Sequence, residues 1–471
     1  MPAPAADHSP AALAGGAQGT RALRPLVDTA LHALARGATA RGGPLPAGGP
    51  PAVDARITAA ATPVLPEHGT GSHEALRTLV QALAEGAADP ADPHCAAHLH
   101  GPALAVAAAA DLAACALNPS LDSWDQAPSA TALEALTTRA LAALAYPRRP
   151  APDALVTTGG TESNQLALLL ARENARTCAH RPLHVVCGAN AHHSVPRAAW
   201  LLGLPAPHTL PTPTGTLDPT DLDKALGEHH TDAPRLVVAT AGTTDAGLID
   251  PLPRIADVCA ARGVPFHVDA SYGGPLLFSD TLRPALAGLD RADSISLDLH
   301  KLGWQPIAAG LLAVPGTEAL APLGHQADYL NAHDDIAAGH PDLLHRSLRT
   351  TRRPDILKIA VTLRALGRTG LGELIERVCA LAHRLADLID AHPSFVLHSR
   401  PTLSTVLFRP ANSDDRTIGS LRRRLLHHGH AVLGRATTPE GLWLKATLLN
   451  PHTRTDDLRN LLELVEGHTT G

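Results

Sequence analysis

Short apolar strands alternate with helices over residues 153–315, and this alternation limits the possible folds more than any other feature of the chain. The pattern predicts strands at Ala154–Thr157, His184–Cys187, Arg235–Thr240, Pro265–Val268, Ser294–Leu297 and Gly310–Val314. It predicts helices between them at Asn164–Arg176, Val195–Leu202, Asp221–Glu228 and Pro253–Arg262. Because strands that are joined through helices usually pair in parallel, we predict an α/β unit with a largely parallel sheet.

The segment before this unit predicts helices and a loose N-terminus. Residues 1–70 are rich in Ala, Pro and Gly and predict a partly disordered arm with one short helix over Arg21–Leu34. The amphipathic stretch Ser72–Gly86 and the Ala-rich stretch His98–Leu117 predict two helices. Since the second is built of small residues, it suits close packing against another chain or domain.

A smaller α+β unit is predicted at the C-terminal end. Its predicted helices and strands are Pro354–Gly367, Leu371–Ala391, Phe395–Leu397, Thr405–Arg409 and Trp443–Leu448. We therefore divide the chain into an arm (1–70), a large domain with N-terminal dimerisation helices (71–330), and a mobile loop with a small domain (331–471).

Composition and charge exclude several classes of protein. The chain has 39 basic and 45 acidic side chains without a basic run, which argues against a nucleic-acid binder. No window approaches the length of an apolar membrane span, and the first residues lack the features of a signal peptide, so we expect a cytoplasmic protein. The 28 histidines are scattered, so no metal site is predicted. Six cysteines without a CxxC pair predict reduced thiols: Cys95, Cys115, Cys178, Cys187, Cys259 and Cys379.

Residues that could bind a ligand or take part in catalysis follow three predicted strands. The sequence TTGGTESN at 157–164 places two glycines where a strand gives way to a helix, an arrangement that suits phosphate but is also common in plain turns. Asp269 follows the strand Pro265–Val268, where a carboxylate can be a metal ligand, a general base, a partner of a protonated heteroaromatic nitrogen or merely a loop cap.

Lys301 follows another strand beside His300, where it is either a surface residue or an amine able to form a Schiff base. The surface interpretation is weakened because the chain has only four lysines and uses arginine elsewhere. A phosphate turn, a strand-end Asp, a strand-end Lys and the upstream pair His192-His193 are together the parts that pyridoxal 5'-phosphate requires.

On these residues the chain resembles the group II pyridoxal-phosphate-dependent decarboxylases, over roughly residues 90–465. It resembles in particular the L-2,4-diaminobutyrate and siderophore-pathway lysine decarboxylases. The shared stretches are SLDSWDQ (120–126), GGTESN (159–164), ATAGTTDAGLIDP (239–251), ADSISLDLHKLGWQP (292–306), SLRTTRR (347–353) and LKATLLNP (444–451). The resemblance implies fold type I: a large, mainly parallel seven-stranded sheet domain, a small C-terminal α+β domain, and a homodimer with active sites at the subunit interface.

The resemblance also implies roles for individual residues. Lys301 would form the Schiff base with the cofactor, Asp269 would pair with its pyridinium nitrogen, and His192 would stack on its ring as the third catalytic residue. The remaining cofactor-binding residues would be Gly160, Thr161 and His300 at the phosphate, and Thr244 and Ser271 along the ring. Asp298, close to the phosphate region, would serve the backbone.

For the substrate, the resemblance assigns Lys445, Arg353 and Trp124, the last of these reaching the partner's site. It implies α-decarboxylation of a small amino acid, L-2,4-diaminobutyrate first and lysine or ornithine second. The 2% aromatic content favours a short aliphatic substrate over an aromatic one.

The donor of the proton to Cα stays open. The loop at 331–348 lacks the tyrosine that many relatives use, and Tyr329 lies just ahead of it. His340 and His345 are candidate donors, although a solvated role is equally consistent with their sequence. Two other functions are therefore considered: oxygen-dependent, aldehyde-forming oxidative deamination on the same fold, and a non-catalytic cofactor carrier.

Overall fold

A seven-stranded sheet forms the centre of the large domain. The structure, a computed structural model, describes residues 12–176, 181–228, 233–324 and 327–469, so the prediction for Cys178 lies outside it. The strands are β2 (Asp153–Thr157), β3 (His184–Gly188), β4 (His208–Leu210), β5 (Arg235–Thr240), β6 (Phe266–Asp269), β7 (Ser294–Asp298) and β8 (Gly310–Val314). Their order is β2-β8-β7-β6-β5-β3-β4, and only β8 runs against its neighbours. The mainly parallel seven-stranded sheet of fold type I is confirmed.

Helices cover this sheet and link its strands. They are α5 (Pro128–Ala145), α6 (Gly160–Arg176), α7 (Ser194–Leu201), α8 (Pro219–Glu228) and α9 (Leu252–Arg262). The strands are almost wholly buried, as continuous apolar runs in a parallel sheet require. The parallel strands β5, β6 and β7 therefore bring their carboxyl ends to one edge of the sheet, the edge at which open α/β folds bind ligands.

The N-terminal segment is more helical than predicted. The short helix expected over 21–34 is α1 (Gly19–Arg41), and a second helix, α2 (Gly49–Ala61), was not predicted. Helix α1 packs along α3 (Ser72–Gly86), and a methyl group on Gly37 would lie 2.6 Å from the Cβ of Ala84. This close approach buries small residues, which explains how an Ala- and Gly-rich stretch forms a packed helix here.

A five-stranded sheet belongs to the C-terminal unit. Its strands are β9 (Phe395–Leu397), β10 (Thr405–Pro410), β11 (Val432–Thr438), β12 (Gly441–Thr447) and the two-residue β1 (Cys95–Ala96). Their order in the sheet is β1-β11-β12-β10-β9. Strand β1 pairs in parallel with β11, although it comes from the segment that the sequence assigns to the large domain. The boundaries drawn at residues 70 and 330 stay a prediction.

The remaining helices connect the two units or cover the small sheet. They are α4 (Ala105–Leu117), α10 (Asp328–Asn331), α11 (His333–Ala337), α12 (Ile356–Asp390), α13 (Asp415–His428) and α14 (Thr455–Gly467). The helix expected from residue 98 begins only at Ala105, after Gly101-Pro102. Helix α12 contains both predicted helices and bends at Gly367, whose φ is 65°. Within the described residues, no helix is long and apolar enough to cross a bilayer.

Candidate active site

A cavity of about 380 Å³ opens at the carboxyl ends of β5, β6 and β7. The structure brings all eight predicted cofactor-binding residues to its wall: Gly160, Thr161, His192, Thr244, Asp269, Ser271, His300 and Lys301. The wall is completed by Leu99, Thr158, Gly159, His193, Thr240, Gly242, Tyr272 and Asp298. Residues that are more than 200 positions apart in sequence therefore face one space.

One side of the cavity is the start of α6. The helix begins at Gly160, so the N–H groups of its first turn have no partner within the helix and are available to an anion. A methyl group on Gly160 would overlap the hydroxyl of Ser271 and lie 2.8 Å from its Cβ. Glycine at position 160 therefore leaves room for the Ser271 side chain, and the role of this turn in binding phosphate stays a prediction.

Lys301 lies in an ion pair that the sequence did not predict. Its Nζ is 2.9 Å from Oδ2 of Asp298, and Nε2 of His300 is 3.6 Å from the same oxygen. Asp298, expected to serve the backbone, instead pairs with the amine, because it ends β7 and Lys301 lies three residues later in the turn that follows. Among the residues that the structure describes, the buried atoms Oδ1 of Asp298 and Nδ1 of His300 have no hydrogen-bond partner.

Asp269 is buried at the end of β6 and accepts three hydrogen bonds. The donors are Nδ2 of Asn164 at 2.8 Å, the backbone N–H of Ser271 at 3.1 Å and Oγ of Ser296 at 3.2 Å. Burial by itself would raise the pKa of Asp269, but Lys301 and the hydrogen bonds outweigh it and hold the pKa below the ordinary carboxyl value. Asp269 is therefore a carboxylate at neutral pH.

The hydrogen bonds around Asn164 determine the tautomer of His192. Asn164 donates from Nδ2 to Oγ of Ser194, at 2.8 Å, so the Ser194 hydroxyl keeps its own proton for Nδ1 of His192, also at 2.8 Å. The backbone N–H of Ser194 donates to the same ring nitrogen. Burial lowers the pKa of His192, and a neutral ring with an accepting Nδ1 carries its proton on Nε2. His192 therefore offers an N–H donor to the cavity.

His267 completes this buried network. Its Nε2 is 3.0 Å from Oδ1 of Asn164, and its Nδ1 is 2.8 Å from Oγ of Ser294. Burial lowers the pKa of His267 to about 4. Because a neutral imidazole both donates and accepts, it satisfies Asn164 and the Ser294 hydroxyl at once.

No role was predicted for Asn164, Ser194, His267 or Ser296. The positions of His267 and Ser296 could have been predicted, because alternate residues of a strand face the same side of the sheet. His267 therefore lies on the same face of β6 as Asp269, and Ser294 and Ser296 share a face of the neighbouring strand β7. Asn164 is in the quoted GGTESN motif, but its contacts depend on how α6 packs on the sheet.

The three predicted substrate residues lie outside this cavity in their own chain. Lys445 is just behind the wall, with Nζ 3.1 Å from the carbonyl oxygen of Thr244, and burial lowers its pKa. Arg353 is held by the partly buried Asp111 on α4, with Nη2 3.0 Å from Oδ1, and its substrate role stays a prediction.

The loop after residue 330 brings a histidine and a tryptophan together. The ring of His340 stacks on that of Trp124, with centroids 5.2 Å apart and planes at 9°. His345 is 3.4 Å from Asp342. Neither histidine reaches the cavity of its own chain, and the side chain of Tyr329 lies outside the described part of the structure.

The donor set fits pyridoxal phosphate. A lysine amine, a buried carboxylate and a helix start with a glycine face one cavity, and among the described residues three buried polar atoms of its wall lack hydrogen-bond partners: Oγ1 of Thr240, Oδ1 of Asp298 and Nδ1 of His300. A second cavity lies next to it, with a volume of about 660 Å³. It shares His192, His193 and Thr244 with this site and is large enough for a small substrate to enter.

Comparisons with known proteins agree with this geometry. Residues 59–411 match the model of the pyridoxal-dependent decarboxylase conserved domain. The chain is 40% identical over 414 residues to the L-2,4-diaminobutyrate decarboxylase of Rhizobium meliloti (strain 1021), covering 85% of this chain and 83% of that protein. It is 31% identical over 431 residues to the enzyme of the same name from Acinetobacter baumannii, covering 85% and 84%.

A solved structure matches almost the whole chain. It is the glutamate decarboxylase domain of a diaminobutyrate-pyruvate transaminase and L-2,4-diaminobutyrate decarboxylase from Vibrio parahaemolyticus. The two superpose with a TM-score of 0.85 and 30% sequence identity, covering 98% of each chain.

Proposed function

This chain belongs to the pyridoxal-dependent decarboxylase family, and we propose that the amino acid it decarboxylates is L-2,4-diaminobutyrate. It is a pyridoxal-phosphate-dependent amino acid decarboxylase that acts on a small amino acid. The observation that supports the substrate is the 40% identity to a diaminobutyrate decarboxylase over 85% of the chain. Loss of carbon dioxide from this substrate gives propane-1,3-diamine.

The charge of the cavity also favours a cationic side chain. Its acidic and basic wall residues are the carboxylates Asp269 and Asp298 and the amine Lys301, apart from histidines. A bound phosphate adds further negative charge. A second ammonium group on the substrate would be attracted to the carboxylate of Asp298 and to this phosphate.

We assign the catalytic roles to Lys301, Asp269 and His192. Bound here, pyridoxal phosphate supplies an electron sink for the electron pair left at Cα when carbon dioxide departs. The amine of Lys301 would hold the cofactor, and the ionised Asp269 would keep a proton on the pyridine nitrogen. The Nε2–H of His192 would donate to the substrate carboxylate and fix its orientation.

A second assignment concerns the subunit partner. Large apolar side chains are exposed on the helices around the N-terminal segment: Leu31, Leu34, Leu79, Leu83, Leu112, Leu117 and Leu136. Leu83, Leu117 and Leu136 are each more than 60% exposed, which is costly for a monomer in water. We propose that a second copy of the chain covers them, and that Trp124 and His340 enter the partner's active site. The cytoplasm stays the predicted compartment.

A substrate panel tests the proposed function. The holoenzyme is incubated with L-2,4-diaminobutyrate, lysine, ornithine, aspartate, glutamate and aromatic amino acids, and both carbon dioxide and the amine are measured. We expect the highest kcat/KM with L-2,4-diaminobutyrate. A higher value with lysine or ornithine would refute the substrate but not the chemistry, and aldehyde with peroxide as the products would indicate oxidative deamination.

The catalytic assignment needs its own variant. Lys301→Ala should abolish carbon dioxide release and the visible absorbance of the lysine-bound cofactor, while Lys224→Ala, on the exposed face of α8, should change neither. Retained absorbance in Lys301→Ala would refute the assignment of Lys301.

A further inference from the structure

We propose that His428, His430 and His468 form a binding site for a borderline divalent transition-metal ion of the Zn²⁺ type. The three residues lie where the C-terminal ends of α13 and α14 meet, on the small domain. Their ligand atoms all lie within 4.8 Å of one another. None of them lines the active-site cavity, so the site is separate from the chemistry proposed above.

The distance between two of the ring nitrogens matches a shared ion. Nδ1 of His430 is 3.3 Å from Nε2 of His468. Two nitrogens that bind one tetrahedral ion at about 2.05 Å lie about 3.3 Å apart, which follows from the tetrahedral angle. In the metal-free protein this pair is a hydrogen bond, and a shared ion would replace its proton at the same separation of the two nitrogens.

His468 is held in the ligating tautomer. Its Nδ1 lies 2.9 Å from the carbonyl oxygen of Leu464 and must donate the N–H to it, which leaves the lone pair of Nε2 facing His430. A backbone carbonyl that accepts from the second ring nitrogen is the usual support of a metal-binding histidine.

The surroundings favour the binding of a cation, and the three histidines would leave one of its coordination positions open. His428 is the last residue of α13 and His430 follows its C-cap Gly429, so both lie at the negative end of a helix dipole. At the C-terminal end of α14, Arg424 donates a hydrogen bond to the carbonyl oxygen of His468. Its positive charge compensates the negative end of that helix dipole. Three imidazoles suit Zn²⁺, Cu²⁺ or Ni²⁺ rather than Mg²⁺ or Ca²⁺, and they leave a fourth position for water.

The sequence expectation of no metal site is therefore revised. His428 and His430 are two residues apart, but His468 follows 38 residues after His430, so spacing alone does not reveal the trio. The fold brings His468 to the end of α13, where Arg424 donates to its carbonyl oxygen. A bound ion would tie the C-terminal helix to α13 and stabilise the small domain.

Zinc titration of the untagged holoenzyme tests the proposal. We expect one Zn²⁺ per chain by calorimetry in competition with a chelator, a Kd at least about tenfold weaker in His430→Ala and in His468→Ala, and nitrogen neighbours near 2.0 Å by X-ray absorption. His427→Ala is the matched control, since His427 is the exposed neighbour of His428 outside the trio and should bind like the parent.

Two further readouts separate this site from the active site. Zn²⁺ should raise the thermal unfolding temperature of the parent and of His427→Ala, but not of the double variant His430→Ala/His468→Ala, and decarboxylation by the double variant should equal that of the parent. Circular dichroism verifies that each variant is folded. Equal zinc affinity in the parent and the folded double variant would overturn the proposal, as would the absence of binding to the parent.

Discussion

Replacing Asn164 with alanine should change the protonation of the active site more than it changes its shape. Asn164 gives Asp269 a hydrogen bond of 2.8 Å within a fully buried network. A hydrogen bond to a charged group contributes about 1.5–3 kcal/mol, and one pKa unit corresponds to about 1.4 kcal/mol. The pKa of Asp269 should therefore rise, and its hold on the pyridine proton should weaken correspondingly.

The expected result is a fall in kcat of about 10–100-fold, the same free energy expressed as a rate. The decisive readout is the ¹⁵N chemical shift of labelled cofactor across pH, which reports the proton on its ring nitrogen. Ser296→Ala removes a longer bond of 3.2 Å to Asp269 and should have a smaller effect in the same direction.

Loss of stability must be distinguished from this effect, because Asn164→Ala also removes one buried hydrogen bond from His267 and one from Ser194. Arg352→Met provides the control, since it breaks a buried ion pair with Glu134 that does not touch Asp269. If Asn164→Ala lowers the unfolding temperature like the control but leaves kcat and the ¹⁵N titration unchanged, the reasoning about Asp269 is wrong.

Three further outcomes follow from single contacts. Gly160→Ala should weaken cofactor binding by about 1–3 kcal/mol, because the added methyl group overpacks against Ser271. The measurement is the Kd of the cofactor, and adding Ser271→Gly should restore it. An unchanged Kd in Gly160→Ala would contradict the crowding at this turn. Arg352→Met should lower the free energy of unfolding in urea by about 3–5 kcal/mol, because it strands the buried Glu134, and the double variant with Glu134→Leu should recover most of the loss. Because burial lowers the pKa of His267 from 6.5 to about 4, the unfolded chain binds a proton that the folded chain does not as pH falls through this window. Stability should thus fall by up to about 3 kcal/mol between pH 6.5 and 4, and a variant His267→Gln that retains the same slope would refute this.

The large sheet was predictable because its strands are buried on both faces and therefore read as apolar runs. Strand β4 escaped prediction because it has three residues, two of them exposed, at the sheet edge. Strand β1 escaped because two residues carry no periodicity, and its partner β11 is distant in sequence. What the sequence lacks in these cases is a local hydrophobic pattern.

The site was predictable where chemistry follows strand ends. Asp269 and Lys301 lie at the carboxyl ends of neighbouring parallel strands, so the topology alone brings them to one edge. The pairing of Lys301 with Asp298 and the bridge through Asn164 depend on rotamers and helix packing, which no spacing encodes. The ion pair of Arg353 with Asp111 could not be predicted for the same reason, because that carboxylate belongs to a helix distant in sequence.

The parallel pairing of β1 with β11 has a mechanical consequence for catalysis. Cys95 and Ala96 are hydrogen-bonded to the edge of the small sheet, and Leu99, three residues later, forms part of the cavity wall. A rigid rotation of the small sheet would pull on this short tether and carry Leu99 toward or away from the substrate. Lys445 on β12 would travel with it, so one hinge movement could reshape two sides of the site together.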